Sequence, residues 1–207
     1  SYFTTSKTRK KMNKTLKTLA AMAIVCSLVF AFASCKNDDS DPSTDTTYGF
    51  KSSISFPVDM TKLCDITLEY TGIDGKKTTT NVTDCSKTTL SVPTAEGSRD
   101  VEHYVFTKAE TTKNKPSETN LKVIYTAKTI TEFPITVDAG VKEDMAVGIP
   151  NYNDWAPGTA KKIDSNYYLS TKYIDQEKVN KMVNHFNSTR SNYKLKIDNS
   201  GNPSINE

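Results

Sequence analysis

Ile66-Thr67-Leu68-Glu69-Tyr70, followed by Thr71-Gly72-Ile73-Asp74-Gly75 and then Lys77 to Thr83, decides the fold. The first five residues alternate apolar and polar, the period of a half-buried strand. Asp74-Gly75 is a strong two-residue hairpin signal. Lys77 to Thr83 returns as a threonine-rich strand. With Asp74-Gly75 as the loop, residues whose numbers sum to 149 face each other, and Cys64 meets Cys85. Counted from the closing pair Ile73 and Lys76, this is a non-hydrogen-bonded pair with Cα atoms about 4.5 Å apart. That lies at the short end of what a disulfide tolerates. A Cys64–Cys85 disulfide is therefore expected, with two free buried thiols as the alternative. The same register turns Val82 away from the face of Ile66 and Leu68. A three-residue loop, Ile73-Asp74-Gly75, brings Val82 inward and moves Cys85 one position off Cys64. A bulge satisfies both demands.

Further strands are expected on either side. Phe50 to Val58 places Ile54, Phe56 and Val58 in alternation, with Pro57 pointing to an edge. Thr88–Val92, Val101–Thr107, Leu121–Ala127 and Ile130–Val137 follow, and Thr111 to Thr119 reads as a polar hairpin loop. Some seven short strands in about a hundred residues fit an all-β sandwich of immunoglobulin-like character, over residues 49–138. The Cys…Trp…Cys signature of immunoglobulin domains is missing, and a transthyretin-like or jelly-roll sandwich fits as well.

After Asp138-Ala139-Gly140 the pattern changes, and residues 139–207 are expected to form a small α+β appendage. Ile149 to Gly158 is a turn-rich loop with two prolines. Tyr167 to Ile174 is one more strand. Asp175 can cap a helix whose stripe is Val179, Met182, Val183 and Phe186. Tyr193, Leu195 and Ile197 alternate as a last strand, and Asp198 to Glu207 reads as frayed.

The N-terminus carries a different signal. Met12 to Lys17 is basic, and Leu19 to Ala33 is apolar or small, the pattern of a secretory signal. The run is shorter than the roughly 20 residues of a spanning helix, so a retained anchor helix is the weaker alternative. Ser1 to Lys11 precede a plausible initiator methionine. Ala33-Ser34-Cys35 resembles the lipobox of bacterial lipoproteins, with Phe32 where leucine is more usual. The resemblance implies that Cys35 becomes the acylated N-terminus. An ordinary signal peptide cut nearby is the alternative. Lys36-Asn37-Asp38-Asp39-Ser40-Asp41 resembles the acidic signal that sends Bacteroidetes-type lipoproteins to the outer leaflet of the outer membrane. Residues 35–48 are then a lipidated cysteine and a flexible tether, too polar to fold alone. Asp45-Thr46-Thr47 resembles a short O-glycosylation acceptor of the same bacteria.

Charge narrows the function. The chain has 27 basic and 24 acidic residues. Six of the basic residues and none of the acids fall in residues 1–34, which leaves 21 against 24, a net of −3. No basic patch points to nucleic acid. His103 and His185 are the only histidines and have no ligand spacing around them, so no metal or cofactor is expected. No catalytic motif stands out. Glu143-Asp144 is a carboxylate pair of the kind common on surfaces. Tyr152, Trp155, Tyr167, Tyr168 and Tyr173 lie close in sequence among Asn and Asp, a combination suited to sugar rings or a protein partner. The competing account has Trp155 anchoring its loop on the sandwich.

The expectation is a membrane-anchored, non-catalytic surface module that binds a glycan or protein. A structural or assembly component of the cell envelope is the rival, and an enzyme ranks third.

Overall fold

The computed structural model describes residues 46–206, apart from 95, 132–136, 151–154 and 172–173. Over 155–171 it describes the strand and its pairing, not the side chains. The expectations for residues 1–45, Cys35 among them, lie outside the described residues.

Ten strands and one helix are present among the described residues: β1 (Tyr48–Pro57), β2 (Cys64–Thr71), β3 (Lys77–Asn81), β4 (Ser86–Thr94), β5 (Gly97–Thr112), β6 (Ser117–Ala127), β7 (Val137–Pro150), β8 (Trp155–Thr171), α1 (Gln176–Thr189), β9 (Asn192–Ile197) and β10 (Pro203–Asn206). They form two antiparallel sheets, ordered β4-β5-β1-β7-β8 and β10-β9-β6-β2-β3. The expected all-β sandwich is therefore present, with α1 as its helical appendage. The boundary expected at residue 138 falls inside β7, which pairs with both β1 and β8. β7 and β8 are thus part of the sandwich itself.

Alternation builds the core. Phe50, Ile54 and Phe56 of β1 face Leu121, Val123 and Tyr125 of β6 across one continuous apolar cluster. Phe56 meets Tyr125 edge-on at 6.0 Å, and Tyr70 meets Phe106 at 6.0 Å. Such ring pairs add about 0.5–1.5 kcal/mol beyond burial.

The β2–β3 hairpin takes the three-residue loop. Thr67 pairs with Asn81 and Thr71 with Lys77, a register sum of 148. Gly72 N donates to Lys76 O at 3.1 Å, and Gly75 sits at φ +73°, the left-handed position that closes such loops. Val82 turns inward, 2% exposed. Strand pairing stops at Asn81, and a 3-10 turn, Val82–Asp84, follows. The expected disulfide is corrected accordingly: Cys64 and Cys85 are free thiols. Cys64 lies buried with its Sγ 3.7 Å from Met60 O, and Cys85 is half-buried beside Asn81 O.

Other boundaries shift too. Ile130 and Thr131 carry no strand, and β7 begins at Val137. Asp198 to Glu207 is not frayed throughout: an Asp198–Gly201 turn leads into β10, which pairs with β9.

Helix α1 closes one end of the sandwich. Asp175 accepts from Lys178 N at 2.8 Å, as its sequence position suggests. Val179, Met182, Val183 and Phe186 are buried, and Phe186 lies 5.4 Å from the Tyr125 ring. Beside it, β9 stops pairing with β6 at Asn192. The Asn187 carboxamide takes over: its Oδ1 accepts from Tyr125 N at 3.1 Å, and its Nδ2 donates to Tyr125 O at 2.8 Å. A side-chain amide thus stands in for the missing strand.

Two outcomes follow. Asn187→Ala leaves both Tyr125 backbone groups unpaired near the core, so urea unfolding should show a loss of about 2 kcal/mol with an unchanged m-value. Burial pushes the Cys64 thiol up to about 12. Iodoacetamide at mildly alkaline pH should therefore alkylate Cys64 only after unfolding, and a non-reducing peptide map should show no Cys64–Cys85 link.

Candidate functional site

The end opposite α1 is built from turns. Thr71 ends β2, Thr112 and Ser117 flank the β5–β6 turn, and Ile197 leads into the β9–β10 turn. Ser117 pairs with Ile197, and Thr71 pairs with Asn120, so the three turns rise from neighbouring strands. Between them lies an open groove of about 460 Å³, within the usual range for small-ligand sites.

One wall is Thr71, Gly72, Ile73 and Gly75. Glu110 reaches from the other sheet to hold it, accepting from Ile73 N at 2.8 Å. A Cβ at position 72 would lie 2.6 Å from Glu110 Oε1, so a larger residue there would push the Glu110 carboxylate aside. A second wall runs from Pro116 to Asn120. Ser117 Oγ donates to Asn114 O at 2.7 Å and fixes this turn, in which the Lys115–Pro116 bond is cis. The third wall is Lys196, Asp198 and Asn199. Asp198 accepts from the backbone amides of Ser200 and Asn202, each at 2.8 Å, and from Asn202 Nδ2. Those bonds, led by Asn202, hold its carboxyl below the ordinary value.

The groove combines apolar surface with hydroxyl and amide groups, and its charged members are Glu118, Lys196 and Asp198. Glu118 pairs with Lys194 at 3.4 Å across the sheet, and Lys196 is exposed beside them. Asn120 Oδ1 is buried with no hydrogen-bond partner among the described residues, which is uncommon for a buried amide oxygen. Beneath lies Tyr70, whose hydroxyl is pushed well up by burial and then by the Glu110 charge. The arrangement offers donors and acceptors at fixed positions.

The aromatic residues expected to form the site are spread out. Tyr152 and Tyr173 lie outside the described residues. Trp155 opens β8 opposite Pro150, whereas Tyr167 and Tyr168 pair with Val141 and Gly140. Tyr167 lies twelve positions along the extended strand from Trp155, about 40 Å, too far for one sugar unit to touch both. Trp155 begins its strand at the groove end, because Gly148 pairs with Gly49 next to Tyr48. Sequence reasoning missed Thr71, Asn120 and Lys196. Their only sequence signals are the turn residues near them, Asp74-Gly75, Pro116 and Gly201.

Glu143 is not a surface carboxylate. It takes an inward position between Val141 and Met145 and is fully buried, whereas Asp144 turns outward to Lys51 at 2.5 Å. Arg190 Nη1 donates to Glu143 Oε2 at 2.6 Å, and the Tyr193 hydroxyl donates to Oε1. The Tyr125 hydroxyl donates to Arg190 O at 3.1 Å. Burial, then Glu143, pushes both tyrosine hydroxyls well up, so they stay donors. The cluster ties β7 of one sheet to β9 and the end of α1.

His103 is buried, its Nδ1 bonded to Val101 O at 2.9 Å, and burial lowers its pKa. His185 is exposed on α1. Among the described residues no three His, Cys, Asp or Glu side chains gather to hold a metal, and no helix is long and apolar enough to cross a membrane. No protein-family model, no curated protein and no solved structure matches this chain.

Removing one partner of a buried ion pair strands the other charge. Arg190→Ala should cost about 3–5 kcal/mol in urea unfolding, and adding Glu143→Gln, which keeps an acceptor for Tyr193 without the charge, should recover part of it.

Proposed function

We propose that this protein is a lipid-anchored, non-catalytic binding module of the cell surface, and that the groove between the three turns is its ligand site. The anchor rests on the lipobox-like Ala33-Ser34-Cys35 and the acidic tether behind it. One observation carries the site: three turns far apart in sequence converge on a single groove of about 460 Å³ lined by hydroxyl, amide and charged groups. Glu110 and Asp198 spend their hydrogen-bonding capacity on the walls, which makes the groove preformed. Preformed sites bind at lower ordering cost. Thr71, Ser117, Asn120 and Asn199 offer hydrogen-bonding groups to the hydroxyls of a glycan, and Ile73 and Pro116 offer apolar surface to a sugar ring.

The long edge strand β8 favours a second function, assembly into an envelope structure. Seventeen residues at a sheet edge offer backbone groups to another chain. Sedimentation separates the two: assembly requires concentration-dependent association.

Detergent-solubilised full-length protein on an array of bacterial and host glycans tests the groove. Thr71→Trp, which fills it, should weaken glycan binding at least tenfold, about 1.4 kcal/mol, with little change in unfolding midpoint. Equal binding by this variant, or no bound glycan, overturns the assignment.

A further inference from the structure

We infer that two copies of this chain join edge to edge through β8, the strands running antiparallel about a two-fold axis centred on Ile163. The pairing extends the five-stranded sheet of each copy into one of ten strands. It is independent of the groove and of the anchor.

The edge itself comes first. One sheet ends in β4 and β8, the other in β10 and β3. β10 and β3 have four and five residues, and β4 has nine and carries Pro93. Short edges and prolines blunt pairing with another chain. β8 has seventeen residues and pairs with β7 along almost all of them, which holds its backbone extended. On its other side no strand pairs with it among the described residues. Such an edge presents a row of N–H and C=O groups as a template. Pro157 lies near its start, away from the centre.

The sequence of β8 then selects the occupant. A two-fold axis perpendicular to a sheet leaves each residue on its own face. Paired positions of a period-two strand therefore share parity, and their numbers have an even sum. Full overlap of Trp155–Thr171 with its copy is the register of sum 326. That register places Lys162 opposite Asp164 of the second copy, and does so twice, once on either side of Ile163. The neighbouring even registers, 324 and 328, place Lys162 opposite Lys162 and Asp164 opposite Asp164. Opposite charges across a ladder attract, and like charges repel. The register with the most backbone pairs is thus also the one that charge favours, and a slip in either direction is penalised. β4 lacks this complementarity, because full overlap with its own copy sets Lys87 opposite Pro93.

The existing ladder favours a cation at the same place. Asp164 stands opposite Asp144 of β7, and Lys51 binds Asp144 at 2.5 Å. A lysine arriving on the far side of Asp164 offsets the repulsion between the two aspartates.

The test is sedimentation equilibrium of detergent-solubilised full-length protein. The wild type should reach a dimer with rising concentration and stop there. Lys162→Asp and Asp164→Lys each set like charges opposite each other twice, so each should raise the dimer dissociation constant at least tenfold. Mixed in equal amounts, these two variants should form heterodimers, because positions 162 and 164 again carry opposite charges across the axis. The double variant, Lys162→Asp with Asp164→Lys, should dimerise as the wild type does. Variants that had lost their structure would show neither recovery, and urea unfolding midpoints identify them directly. A monomeric wild type overturns the inference. So does either single variant dimerising as tightly as the wild type, or a folded mixture that stays monomeric. Growth beyond two copies overturns it in favour of open-ended envelope assembly. Glycan binding by the groove is tested separately by Thr71→Trp and does not depend on any of these outcomes.

Discussion

Tyr125 is where both sheets and the helix meet, and most of the fold can be traced from it. Its ring packs edge-on against Phe56 of the other sheet and against Phe186 of α1. Its backbone is completed by Asn187 and its hydroxyl by Arg190 O. Arg190 in turn neutralises Glu143, and Glu143 receives Tyr193. Closing a sandwich end leaves strand groups without partners, and buried polar groups must be paired. Here one helix supplies both the apolar lid and the polar partners. The opposite end is closed differently, by turns alone, and that difference leaves room for a groove.

How much of this was legible in the sequence follows from physical range. Strands with one buried face announced themselves by alternation, as in Ile66, Leu68 and Tyr70, and the helix by its stripe and the Asp175 cap. The hairpin register was ambiguous because Asp74-Gly75 fits both a two-residue loop and a three-residue loop with Gly75 at positive φ. Burial of Val82 decided it, and burial is a tertiary quantity. Glu143 reads as a surface carboxylate in the sequence because a carboxylate at an inward position breaks the binary pattern that sequence reading relies on. Its partners Arg190 and Tyr193 are nearly fifty residues away. β10 was too short and too polar to register as a strand. The groove was hidden for the same reason as Glu143: its walls come from residues 71–75, 116–120 and 196–199, and only the strand order brings them together.

The groove's walls are rigid for reasons outside the groove. Glu110 belongs to β5 of the opposite sheet, yet it fixes the Gly72–Ile73 wall. Asp198 organises its own turn through its carboxylate. Tyr48 wedges under Gly201. The side chains that shape the groove are thus already engaged within the protein.

The place where the chain enters has a mechanical consequence. β1 lies in the middle of its sheet, paired along most of its length to β5 on one side and β7 on the other. A pull on the residues before Tyr48, directed along the strand, loads those two hydrogen-bond ladders in shear, all rungs sharing the force. An edge strand pulled crosswise would part rung by rung. A load applied at that end therefore falls on the strand best placed to resist being drawn out of the domain.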